Sequence, residues 1–265
     1  MHFDSGAFVV GLGWAAAGVL VVLSGTFVAS RIAHKHSVID TAWGLLFVSV
    51  AVAVFVASSG HGDPLRRVLL LVLTCVWGLR LAQHIGRRSL GKPEDPRYEQ
   101  LLAKAKGDPD LYALRMVYLL QGVLAYLIAA PILIGGFEGR PVGAVAWTGV
   151  GVWAVGLFFE SVGDWQLERW RADPAHQGGV MDVGLWRYTR HPNYFGDACV
   201  WWGIFLVAAD ALPGVATIAA PVLMTLLLTK GSGARILEKH MSGREGWDEY
   251  AARTSGFSPL PPRKP

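Results

Sequence analysis

The chain is poor in charge and poor in cysteine. Only 17% of its 265 residues are Asp, Glu, Lys or Arg, against about 25% in a soluble domain. Its two cysteines, Cys75 and Cys199, both lie inside apolar runs. That pattern argues against a disulfide scaffold and suits small buried side chains. The histidines lack HExxH spacing and the cysteines lack CxxC spacing, so no metal site is expected. Internal repeats, low-complexity tracts and a soluble domain are also missing.

What the chain has in abundance is apolar sequence, 52% by composition. It comes in unbroken runs of roughly 17 to 23 residues, enough to cross a ~30 Å hydrocarbon core. Lipid offers no partners to backbone polar groups, so such spans are helices. The expected fold is therefore an all-α, multi-pass integral membrane protein. Seven candidate spans cover residues 7–29, 38–58, 68–85, 113–134, 142–163, 193–209 and 212–230. The first run is too long for a signal h-region and lacks a basic n-region, so a retained helix is expected. Gly149, Gly151 and Gly156 suit close helix packing.

With seven spans, 21 of the 24 Lys and Arg residues fall on one face. The other face holds only Arg66, Arg67 and Arg140. The positive-inside rule then places the N-terminus outside and the C-terminus in the cytoplasm of a cell-membrane protein. Unusual polar residues gather at the same level: Asp40, Arg80, His84, Glu160, Asp164, Asn193, Asp197 and Lys230. Ionisable groups at membrane depth are costly and usually face a cavity or a partner.

Two segments carry the densest chemistry. "GDWQLERWRADP" reads as a helical extension of the fifth span, with Asp164, Glu168 and Arg171 on one face. "GLWRYTRHPNYFGD" opens the sixth span and brings Trp186, Arg187, Tyr188, Arg190, His191 and Asn193. Arginines for phosphates, aromatic rings for stacking and a carboxylate for a ribose hydroxyl suit a nucleotide cofactor. A positively charged cap with interfacial Trp anchors accounts for the same residues. A hydrogen-bonded helix entrance, with Pro192 in its first turn, accounts for Asn193 and Asp197.

Asp40 is a carboxylate just inside an apolar span, expensive unless neutral or paired. His84 and Arg80 are its plausible partners, either as a proton-delivering pair or as a salt bridge between helix ends. The "RRSLGKPEDPRYEQ" block, 87–100, reads as a structured turn. It is either a solvated loop or a lid. The tail after Lys230 reads as an amphipathic helix, a glycine break and a second short helix, packed over the loops.

"LWRYTRHPNYFGD" before an apolar span, with "GWDEYAARTSGF" in the tail, resembles the steroid 5-alpha-reductase C-terminal fold. With "SVIDTAWG" and "WGLRLAQHIGRRSLGKPEDPRY", nearly the whole chain is similar to the bacterial branch known as domain of unknown function 1295. The RHPNYxGD block also occurs in integral-membrane sterol reductases of the delta-14 type. The resemblance implies one membrane-embedded reductase domain. Residues 1–112 would face the substrate and 113–265 would carry the cofactor. It implies NADPH bound at a cytoplasm-facing pocket and reduction of a carbon–carbon double bond in a lipid taken from the bilayer. By matching positions, Asp164, Arg171, Trp186, Tyr188 and Asn193 would line the cofactor site, and Arg97 and Lys230 would reach it. Arg190 and His191 belong to the same block. Asp40 falls near an acidic residue and His84 near a tyrosine that, in the family, polarise the substrate carbonyl.

The chain also departs from the steroid reductases. They carry Gln-Glu at Ile39-Asp40, Tyr at His84 and Asn at Glu160. Membrane methyltransferases of the isoprenylcysteine and phospholipid type share an RHPxYxG block and use S-adenosylmethionine. The "DTAWG" segment and the "GKPEDPRY" loop favour the reductase over them. A non-catalytic lipid-binding protein with the same fold is the third class. None of the three implies a nucleic-acid partner.

Overall fold

A computed structural model describes residues 5–231 and 233–263. The protein is all-helical: no strand occurs among the described residues, and one isolated bridge pairs Thr189 with Ser255. The helices are α1 (Ser5–Ala33), α2 (Val38–Ala57), α3 (Pro64–Ser89), α4 (Pro96–Leu102), α5 (Pro109–Ala113), α6 (Leu120–Ile128) and α7 (Ala130–Gly135). They continue as α8 (Ala144–Ala172), α9 (Pro192–Ala209), α10 (Leu212–Val215), α11 (Ala219–Thr229), α12 (Ala234–Met241) and α13 (Trp247–Arg253).

Six stretches are long and apolar enough to cross a bilayer: α1, α2, α3, Pro109–Ile128, α8 and Leu212–Met241. This is a multi-pass membrane protein. The sixth predicted span, 193–209, forms α9, but Pro192, Asn193 and Asp197 make its first turns polar, and it is not among the six. Three predicted boundaries move outward. α3 runs past Arg80, Arg87 and Arg88 to Ser89, because basic residues near a helix end can reach the interface without breaking the helix. α8 runs to Ala172, as the extension read from the sequence required. The fourth span starts at Pro109, passes through a π-turn at Leu114–Leu119 and ends at Ile128. There Pro131, in the first turn of α7, enforces the break.

The chain divides into two compact units. The first comprises Met1–Trp147 with Ile204–Ala220. Its α2 packs along both α1 and α3. At the α2–α3 crossing a Cβ on Gly44 would lie 2.2 Å from the Gly78 carbonyl oxygen, so the two backbones touch. Around this crossing sit Leu46, Phe47, Trp77 and Ile128, all fully buried. At one end of the unit the Arg66 guanidinium is sealed from solvent. It donates to the carbonyls of Val207 at 2.7 Å and Arg140 at 2.9 Å, and to Asp210 at 3.3 Å. Asp210 in turn accepts from the Gly143 N–H at 2.7 Å.

The second unit comprises Thr148–Gly203 with Pro221–Pro265. Here α8 and α9 cross closely, since a Cβ on Gly156 would lie 2.5 Å from the Gly196 carbonyl. The tail clasps the 184–191 block. Tyr250 donates to the Trp186 carbonyl at 2.6 Å, Thr189 Oγ1 to that of Phe257 at 2.7 Å, and the Leu260 N–H to that of Tyr188 at 3.0 Å.

Candidate functional site

In the first unit the chemistry gathers on Asp40, in the first turn of α2. Its partners are Tyr98, whose hydroxyl donates to Oδ1 at 2.5 Å, and Arg97, which donates to Oδ2 at 3.1 Å. The sequence offered His84 and Arg80 for that place; both sit half-buried on α3. The 87–100 block turns only at Gly91, where φ is +70°, and then makes a helix rather than a turn alone. The reason is local: Asp95 caps α4 by accepting from the Arg97 N–H at 2.8 Å, and Pro96 opens it. That start aims both Arg97 and Tyr98 from the first turn. Tyr98 is buried, and burial with the nearby Asp40 charge holds its phenol well above the usual tyrosine range.

The segment before α4 is fixed by reciprocal capping. Glu94 accepts from the N–H groups of His36 and Ser37, at the start of α2. Lys35 donates to the carbonyl of Ser89 at 2.9 Å, at the end of α3, and to that of Lys92 at 3.1 Å. Burial alone would raise the Glu94 carboxyl. The Ser37 hydroxyl and the surrounding N–H groups outweigh it and hold the group below its ordinary value. Burial also depresses His36, against the pull of Glu94. Its ring lies 2.9 Å from Asp110 and 3.3 Å from the Tyr118 hydroxyl.

The second unit holds a pocket of about 530 Å³, its open mouth included. Trp170, Trp186, Trp247 and Tyr250 supply aromatic walls, and Arg171, Arg190 and Arg244 supply positive charge. Of the predicted cofactor residues, Arg171, Trp186, Arg190 and His191 share this wall. Arg190 is held inward: Nε donates to Glu238 at 2.8 Å, and Nη1 to the carbonyls of Ala251 and Thr254. His191, buried, places Nε2 3.0 Å from the same Glu238 oxygen, and burial lowers its pKa. Asp164 and Asn193 meet each other, with the Asn193 amide donating at 3.1 Å. Asp164 lies one turn before Leu167, which also lines the pocket.

Tyr188 and Lys230 are exposed and do not line the pocket, although both belong to this unit. Arg97 lies in the first unit, on Asp40 and Asp95. Sequence reasoning, which read Trp165, Trp170 and Trp186 as stacking surfaces, missed Tyr98, Arg244, Trp247 and Tyr250 as site residues. The signals were present: an Asp-Pro helix start before Arg97-Tyr98, and the "GREGWDEY" run of arginine and aromatics in the tail.

A family model described as "Protein of unknown function (DUF1295)" matches residues 26–254. An uncharacterized protein of Schizosaccharomyces pombe is 24% identical over 236 residues, covering 79% of this chain and 67% of the relative. No solved structure matches the chain.

Proposed function

Starting from the family of proteins of unknown function DUF1295, to which this chain belongs, we propose that it is an NADPH-dependent reductase of a carbon–carbon double bond in a membrane lipid. The observation that carries the reading is the pocket of the second unit, where Arg171 and Arg244 join a wall of three tryptophans and a tyrosine, and Arg190 is tied to Glu238 and the tail. Aromatic faces suit a base and guanidinium groups suit phosphates. NADPH, when bound, supplies a hydride.

The chain's own residues do the rest. The paired Asp164 and Asn193 bind and orient the nicotinamide end, one turn deeper along α8 than the pocket wall. Arg171 faces the diphosphate. In the first unit, Tyr98 holds a proton on its hydroxyl, and Asp40 and Arg97 fix that hydroxyl in place. Reduction of an enone needs one proton besides the hydride. The phenol is the first unit's acid for that role, acting once its one hydrogen turns away from Asp40. The lipid class of substrate follows from the membrane setting of the acid. Counted with α9 as a seventh crossing, the excess of Lys and Arg supports a cytoplasmic cofactor side and an external N-terminus.

The test is a side-by-side titration of detergent-purified protein with NADPH and S-adenosylmethionine. Saturable binding of NADPH alone is the expected result, followed by NADPH consumption on a panel of lipid enones. Binding of S-adenosylmethionine alone makes the protein a membrane methyltransferase. Binding of neither, by folded protein, leaves a lipid-binding role.

A further inference from the structure

Resting on that cofactor reading, the geometry points to Arg244 as the residue that selects a phosphorylated dinucleotide, by contacting the phosphate monoester on the ribose next to the base. Three arginines line the pocket, and they are not equivalent. Arg190 is committed to Glu238 and to two tail carbonyls. Arg171 follows Asp164 by seven residues on α8, about 10 Å along the axis at 1.5 Å per residue. That is the distance at which the middle of an extended dinucleotide lies from its nicotinamide. Arg244 belongs to neither group.

Arg244 sits in the short connection between α12 and α13, beyond Gly243 at φ +91° and before Gly246 at φ +77°. Left-handed glycines on both sides let the chain fold back tightly there. The Arg244 N–H donates to the Met241 carbonyl at 3.2 Å, and the Trp247 N–H donates to the Arg244 carbonyl at 3.1 Å. The turn therefore ties Arg244 to Trp247, whose buried indole forms part of the pocket wall. The guanidinium itself is exposed, and no carboxylate pairs with it among the described residues.

The chemistry of the cofactor completes the assignment. With the nicotinamide at Asp164 and Asn193, beside Trp186, we seat the base against Trp247, the pocket aromatic that the turn ties to Arg244. In a phosphorylated dinucleotide the monoester is carried on the ribose attached to that base. It bears close to two negative charges, and a planar guanidinium binds it through two parallel hydrogen bonds. A cation fixed beside the aromatic wall meets that group and misses the diphosphate. NADH offers it only a hydroxyl.

The experiment measures dissociation constants for NADPH and NADH with the full-length protein and its Arg244→Gln, Arg244→Lys and Arg171→Gln variants. Thermal melts check that each is folded. Arg244→Gln should weaken NADPH by about 10- to 100-fold, the range for hydrogen bonds to a charged group, and leave NADH within about twofold. Arg244→Lys should recover part of the loss. Arg171→Gln should weaken both dinucleotides alike. Equal effects of Arg244→Gln on the two cofactors, or no effect, overturn the inference. So does a preference that vanishes with Arg171→Gln instead. A wild-type protein that binds both dinucleotides equally well overturns the inference and leaves the cofactor reading standing. A wild-type protein that binds neither removes both.

Discussion

Two Arg–Asp pairs in the first unit make opposite use of the same chemistry. Arg66 and Asp210 are sealed, their side chains 0% and 7% exposed, and backbone groups take up most of their remaining hydrogen-bonding capacity. Arg97 and Asp40 are open, 54% and 28% exposed, and share the carboxylate with a phenol. A sealed pair held mainly by carbonyls and N–H groups, with only the Arg66 Nε left over, holds chain segments together. An open pair whose carboxylate also accepts a phenol hydrogen keeps a proton at the site. Charge alone does not separate a staple from an acid. The identity of the third partner does.

The sharpest way to break the comparison is at the sealed end. Arg66→Ala leaves Asp210 buried without its cation and should cost about 3–5 kcal/mol, enough to lose monodisperse protein in size-exclusion chromatography. The corresponding change at the open end should spare the fold. Asp40→Asn and Tyr98→Phe should melt close to the parent, while NADPH consumption with a lipid enone falls by about 10²–10⁴-fold and NADPH affinity is unchanged. Intact turnover in both variants would take this pair out of the chemistry.

A pH series sharpens the contrast. His36, Glu94 and His191 all have folded pKa values depressed below their unfolded ones. Each therefore contributes stability that is full above its unfolded value and lost as pH falls. The melting temperature should hold near neutrality. It should begin to fall below about pH 6.5, where the two histidines charge, and fall again below about pH 4.3 with Glu94. His36→Gln should flatten the first part of that decline. The smallest effect belongs to Arg97→Gln, whose exposed ion pairs are worth under about 1 kcal/mol of stability.

Much of this architecture was legible in the sequence. Helix composition marked the spans and Pro192 marked a start, whereas the break at Pro131 was read over within the span 113–134. Asp40 and Asp164 stood out one by one because carboxylates at membrane depth are rare. What stayed hidden were pairings across long separations. Nothing local in "PRYEQ" says that Tyr98 reaches a residue 58 positions away. Nothing local in "RHP" says that Arg190 is spent on Glu238 and the tail rather than on a phosphate. His84 was chosen for Asp40 because consecutive helices suggest neighbours. The capped start of α4 delivers Tyr98 there instead.

The clasp of the tail onto the 184–191 block has a practical side. Hydrogen bonds from Leu260 to Tyr188 and from Arg263 to Arg253 show how late in the chain the pocket is still being assembled. A shortened expression clone ending near Trp247 would keep every span in Leu212–Met241 and everything before it. It would keep the spans yet lose Tyr250 from the pocket wall and the Ala251 and Thr254 carbonyls that hold Arg190. Affinity tags for this protein belong after the last residue, and a truncation screen that ranks clones by yield alone would select the wrong one.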